Sequence, residues 1–154
     1  MRLDDLTILV DSREQRPLRF RNVKSERATL ITGDYSVRCG DSDLRDTVAI
    51  ERKSIPDLVS SLSTGRERFE REMSRLARIR WRFLVIEGEL REIAAGTRFS
   101  NLTPAQIISP LLSWQMKYDL HVIPAISRAW AARIVELLLA HCARHYLREQ
   151  KEKG

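Results

Sequence analysis

The stretch that most constrains this chain is Val48-Ala49-Ile50-Glu51-Arg52-Lys53-Ser54-Ile55-Pro56-Asp57. Apolar, partly β-branched residues open it as a strand, charges follow at the strand's end, and helix-start residues come directly after. Side chains alternate along a strand, so Glu51 and Lys53 share one face and Arg52 takes the other. With a further acid upstream at Asp34, the set suits a one- or two-metal phosphodiesterase. Asp34 and Glu51 would hold a hard cation such as Mg2+ through oxygen, and Lys53 would face the attacking water or the scissile phosphate. The same residues admit a plainer account, in which Glu51 and Lys53 form an ordinary same-face ion pair. Ser54 then caps a helix, Pro56 sits in its first turn, and Asp57 closes a capping box.

At 154 residues, the chain fits a single domain, 1–154, with a core that needs no disulfide or structural metal. Apolar content of 43%, charged content of 31% and a net charge of +6 point to a globular protein with a polyanionic partner, nucleic acid before an anionic membrane. Cys39 and Cys142 lie far apart without metal-ligand or redox-motif spacing, as expected of reduced cytosolic thiols. The N-terminal residues lack an apolar run and no run is long enough to span a bilayer, so an intracellular, cytoplasmic protein is expected.

Leu6-Thr7-Ile8-Leu9-Val10 reads as a buried strand ending in Asp11-Ser12-Arg13-Glu14, at the edge where α/β sheets place ligands. A basic, loop-like segment with Arg16, Arg19, Arg21 and Lys24 runs to about Ile31. A turn at Gly33 leads into a second strand, and Gly40-Asp41-Ser42-Asp43 makes a hairpin turn back into the Thr47–Lys53 strand. Antiparallel pairing then brings Asp34 near Glu51. Asp41 and Asp43 lack the residues that complete a calcium loop and read as a solvated turn.

Ile55, Leu58, Val59 and Leu62 share one helical face. Thr64-Gly65-Arg66-Glu67 reads as a capping box opening a second helix, with Phe69, Met73 and Leu76 inward. Arg66, Arg68, Arg71, Arg75 and Arg78 form its basic complement, suited to DNA phosphates or simply to solvent. Trp81–Glu87 is a third strand, and a short helix from Leu90 to Ala95 stops at Gly96. Thr103-Pro104-Ala105-Gln106 caps a helix that Pro110 should kink or restart. A short strand over Leu120–Pro124 precedes a long helix capped by Ser127, with Trp130, Ile134, Leu137, Leu138 and His141 on one face as core or self-association surface. The tail, 148–154, is expected to fray. His141 and His145 have metal-ligand spacing but no third ligand.

Val10-Asp11-Ser12-Arg13-Glu14, then Gly33-Asp34-Tyr35, then Ile50-Glu51-Arg52-Lys53-Ser54-Ile55-Pro56-Asp57-Leu58 resemble the nuclease domain of the XPF family of structure-specific endonucleases. Its signature is Gly-Asp, a variable gap, Glu-Arg-Lys, three residues and Asp. The resemblance runs from about Leu6 to Glu87. It implies a restriction-endonuclease-like α/β core, a central mixed sheet flanked by helices, and Mg2+- or Mn2+-dependent hydrolysis of DNA near a branch or flap. By position it implies Asp34 and Glu51 as metal ligands with Asp11 as a further acid at the metal. Lys53 would orient or deprotonate water, and Arg52, Asp57, Arg13 and Glu14 fill the remaining charged motif positions.

Family members usually act as dimers and carry a C-terminal helix-hairpin-helix module, which this sequence lacks. The chain is therefore expected either to be a compact stand-alone nuclease or to take DNA grip from a homodimer or a partner bearing such a module. The competing reading is a non-catalytic DNA-binding scaffold subunit on the same fold, against which the complete set of acids and lysine argues.

Overall fold

The computed structural model describes residues 1–95 and 101–154. Strands β1 (Leu6–Asp11), β2 (Lys24–Ala28), β3 (Tyr35–Cys39), β4 (Ser42–Asp43) and β5 (Val48–Ser54) come first. Helices α1 (Ile55–Leu62) and α2 (Arg66–Leu76), strand β6 (Trp81–Glu87), helices α3 (Leu90–Ala95) and α4 (Pro104–Lys117), strand β7 (His121–Ala125) and helix α5 (Arg128–Lys153) follow. The strands form one mixed sheet in the order β2-β1-β3-β5-β6-β7, with β4 on β3. The pairs β1–β2, β5–β6 and β6–β7 are parallel, and β1–β3 and β3–β5 antiparallel.

Strand alternation sorts the core into two layers. Val48, Ile50 and Val85 pack toward Ala131, Val135 and Leu139 of α5. Ala49, Leu84 and Ile86 pack toward α1, α2 and α4 through Leu58, Phe69, Met73, Ile107 and Trp114. With both faces covered, β1 reads as an unbroken buried run. The same alternation carries into the charged end of β5. Glu51 and Lys53 fall on the α2 side and Arg52 on the α5 side.

Several local expectations need correction. The basic segment expected as loop contains β2, an exposed parallel edge strand paired from Thr7↔Lys24 to Asp11↔Ala28. Its polar sequence carries no apolar alternation because neither face is covered. Helix α2 is capped by Gly65 without a side-chain bond, not by Thr64. Helix α4 has its Thr103–Gln106 capping box but continues through Pro110, which is buried in the packing instead of restarting the helix. On α5 the inward face is Ala131, Ala132, Val135, Leu139, Ala140 and Ala143, whereas Trp130 and Leu137 are 51% and 42% exposed. Small residues let the helix lie close to the sheet; of the expected stripe, Ile134 and Leu138 still pack against the core, while Trp130, Leu137 and His141 turn to solvent. The C-terminal tail is helical to Lys153. Arg80 holds Glu149 through two 2.6 Å bonds, and Lys151 and Lys153 suit the helix's negative end. The expected stop at Gly96 lies outside the described residues.

Candidate active site

Main-chain register sets the two central acids. Gly33 adopts φ +79°, and a Cβ there would lie 3.2 Å from both the Ala49 Cβ and the Ile50 carbonyl oxygen, so any side chain at this turn is strained and crowded. The turn lets the Asp34 N–H donate to the Ile50 carbonyl at 2.8 Å. The Arg52 N–H in turn donates to Asp34 Oδ2 at 2.8 Å. Asp34 is thereby fixed beside the end of β5, as antiparallel pairing predicts.

On the α2 side, Lys53 Nζ lies 3.6 Å from Glu51 Oε1 and 3.7 Å from Glu72 Oε2, 5.0 Å over the Phe69 ring. The ammonium is shared between carboxylates at distances beyond a close hydrogen bond. On the other side, Arg52 reaches Glu87 Oε1 at 2.5 Å, Glu14 Oε1 at 3.2 Å and the Arg16 carbonyl at 2.8 Å. Among the described residues its buried Nε has no partner.

Asp11 is buried at the end of β1. Its Oδ1 accepts the Leu30 N–H at 3.1 Å and its Oδ2 accepts Arg13 Nε at 2.8 Å. Burial opposes its ionisation, but the Arg13 and Leu30 bonds hold the carboxyl below its ordinary value. Both Asp11 oxygens accept hydrogen bonds from within the chain. Asp11 braces Arg13, whose side chain is 72% exposed. Asp57 is exposed at the start of α1, where its N–H donates to Ser54 Oγ at 3.2 Å without a reciprocal capping bond.

Two adjoining hollows of about 400 and 460 Å³ share Glu14, Asp34, Glu51, Arg68 and Glu72, forming an open groove along the strand ends. Arg75 and Arg13 line one end; Lys53 and Asp57 line the other. Arg71 and Arg78 are exposed outside the groove lining. Arg66 lies apart from the groove, 5.7 Å over the Trp114 ring.

Burial pushes Asp34 up to about 6, against the pull of the Arg52 N–H. Burial also raises Glu51 well above its ordinary value, with the Asp34 charge adding to it. Two crowded acids short of positive charge fit a hard dication, which one or two carboxylates bind while water and substrate phosphate complete the shell. Reading the sequence overlooked Glu72 and Glu87 as site residues. The spacing of Glu72 four residues from Arg68 was the available signal, and Glu87 ends β6 opposite Ser54.

The ERCC4 domain matches residues 10–138. XPF from Aeropyrum pernix shares the fold at a TM-score of 0.68 and 21% identity, over 94% of this chain and 69% of that one. XPF from Aeropyrum pernix in complex with DNA matches at 0.67 and 22%, over 90% and 65%. The curated proteins give no match. The mixed sheet flanked by helices is thus the restriction-endonuclease-like fold implied by the motifs, and the family match spans most of the chain. The chain belongs to the ERCC4-domain family, the XPF family of nuclease domains.

Proposed function

We propose that this domain is a DNA endonuclease that requires Mg2+ or Mn2+ and cuts a phosphodiester bond at branched or flap-like DNA. The observation that carries the reading is the Asp34–Glu51 pair, fixed by main-chain register in an open groove with Lys53 beside it. Asp34 and Glu51 would hold the cation. When bound, a dication acidifies water and stabilises charge on the phosphate undergoing attack. Glu51 and Glu72 keep the Lys53 ammonium at the groove floor, where it orients water or balances phosphate charge. Arg52 fixes Glu14 and Glu87, and so the frame of the site. Asp11 aims Arg13 outward, and Arg68 and Arg75 meet phosphates along the strand. Asp57 stands on the rim, within reach of solvent and substrate.

DNA as partner is supported by the family and by the Aeropyrum pernix XPF in complex with DNA, and such a role belongs inside the cell. Ile126, Trp130 and Leu137 are exposed in and just before α5, which favours a homodimer or a helix-hairpin-helix-bearing partner. No helix among the described residues is long and apolar enough to cross a membrane.

The test is cleavage of end-labelled flap, fork and plain duplex DNA with Mg2+, Mn2+ or chelator, wild type against Asp34→Ala. Metal-dependent cutting of the branched forms that vanishes in the variant is expected. Salt-sensitive binding without cutting in either metal would replace the nuclease by a scaffold.

A further inference from the structure

A second basic site lies on the α5 side of the sheet, behind the loop that follows β1. A hollow of about 440 Å³ is lined by Arg19, Arg21, Asn22, Arg128, Arg133 and Glu136, with Ala129 and Ala132 as its apolar wall. Four arginines and one glutamate thus line it, with the Arg128 guanidinium turned to Glu87 and to the Arg16 and Pro17 carbonyls. The lining glutamate is already engaged: Glu136 is 3% exposed and accepts the Asn22 N–H at 2.8 Å and Asn22 Nδ2 at 3.1 Å. Arg133 approaches it only to 3.8 Å. Arg19 and Arg21 make no hydrogen bond or ion pair among the described residues. Arg128 shares Glu87 with Arg52. The hollow therefore carries positive charge that its own walls do not balance, in a concave setting that suits a multiply charged oxyanion.

Its position identifies the anion. The Arg16 carbonyl accepts Arg52 Nη2 at 2.8 Å and Arg128 Nη2 at 2.9 Å. One oxygen thus joins a guanidinium of the catalytic frame to an arginine of the basin. DNA carries a charge at every nucleotide, so a polynucleotide crossing the groove brings phosphates to the neighbouring surface.

We infer that the Arg19/Arg21/Arg128/Arg133 basin is a phosphodiester-binding site for the DNA arm leaving the catalytic groove. It sets how much duplex the domain grips without touching the bond that is cut. The inference rests on the endonuclease reading.

The experiment measures binding of fluorescent fork DNA, in chelator, across a salt series. Wild type is compared with Arg19→Ala/Arg21→Ala and with Lys151→Ala/Lys153→Ala, which removes equal charge from the last turn of α5. The basin variant should bind several-fold more weakly, with its log–log salt slope shallower by about two, since each phosphate no longer neutralised lowers the slope by about 0.9. The tail variant should keep the wild-type slope. Equal slopes for the wild type and the basin variant, or equal weakening in both variants, would overturn the basin. Wild type that does not bind fork DNA here and does not cut it with Mg2+ or Mn2+ would instead overturn the reading beneath it, so the two failures are distinguishable.

Discussion

Three oxygens converge on the buried Arg52 guanidinium, while Lys53 beside it makes no close hydrogen bond. The neighbours should therefore respond differently to truncation. Arg52→Ala strips Glu14 of its cation and leaves Glu87 only Arg128, costing about 3 kcal/mol of stability in urea unfolding. Lys53→Ala should change stability by less than about 1 kcal/mol while lowering single-turnover cleavage by about a hundredfold or more. Because burial pushes Asp34 up to about 6 and holds Glu51 well above its ordinary value, the carboxylates shed their protons only as pH rises. Metal-dependent cleavage should climb through pH 6 and not decline between pH 5 and 7, as a pH–rate profile would read. The opposed directions of Arg52 and Lys53 were legible from strand alternation alone. The occupation of Asp11 was not, since its partner Leu30 lies nineteen residues away across an edge strand.

At the scale of elements, α2 separates its arginines by angle. Arg68 and Arg75 line the groove and Arg66 sits over Trp114 on the far side. Arg68→Ala and Arg75→Ala should each flatten the salt dependence of DNA binding by about 0.9. Arg66→Ala should leave it unchanged. Titrations across a salt series check both. The apolar face of α2 was plain in the sequence because Phe69, Met73 and Leu76 recur at helical spacing. On its polar side Arg68, Arg71 and Arg75 recur at helical spacing, whereas Arg66 lies over Trp114 on another face. Strand β2 was invisible because an edge strand exposed along most of its length has no burial to imprint a pattern. By contrast, the β3–β5 pairing followed from Gly33 and the turn at Gly40, whose φ values are positive, although that turn first returns the chain into the short strand β4 (Ser42–Asp43), which in the sequence reads as part of the turn.

Across the whole molecule, α5 covers one face of the sheet with small residues and turns Trp130 and Leu137 to solvent. Light scattering at high protein concentration should give a dimer mass, and Trp130→Glu/Leu137→Glu should halve it. A monomer mass for the wild type would remove the dimer. The inward face of α5 escaped the sequence because alanine carries little periodic hydrophobic signal, although the fold class and strand order around Asp34 and Glu51 did not depend on it. That acid pair is also where the molecule gives up stability for function. Between the ordinary carboxylate value near 3.8 and about 6, the folded state holds the extra proton on Asp34. The wild type therefore loses stability as pH rises through that window. Thermal melting of wild type and Asp34→Asn at pH 8, in chelator and in millimolar Mn2+, tests this most directly. The account predicts that the variant melts higher in chelator, an advantage fading toward pH 4, and that Mn2+ raises the wild type by several degrees but the variant scarcely at all. A variant that melts lower in chelator and gains equally from Mn2+ would contradict it.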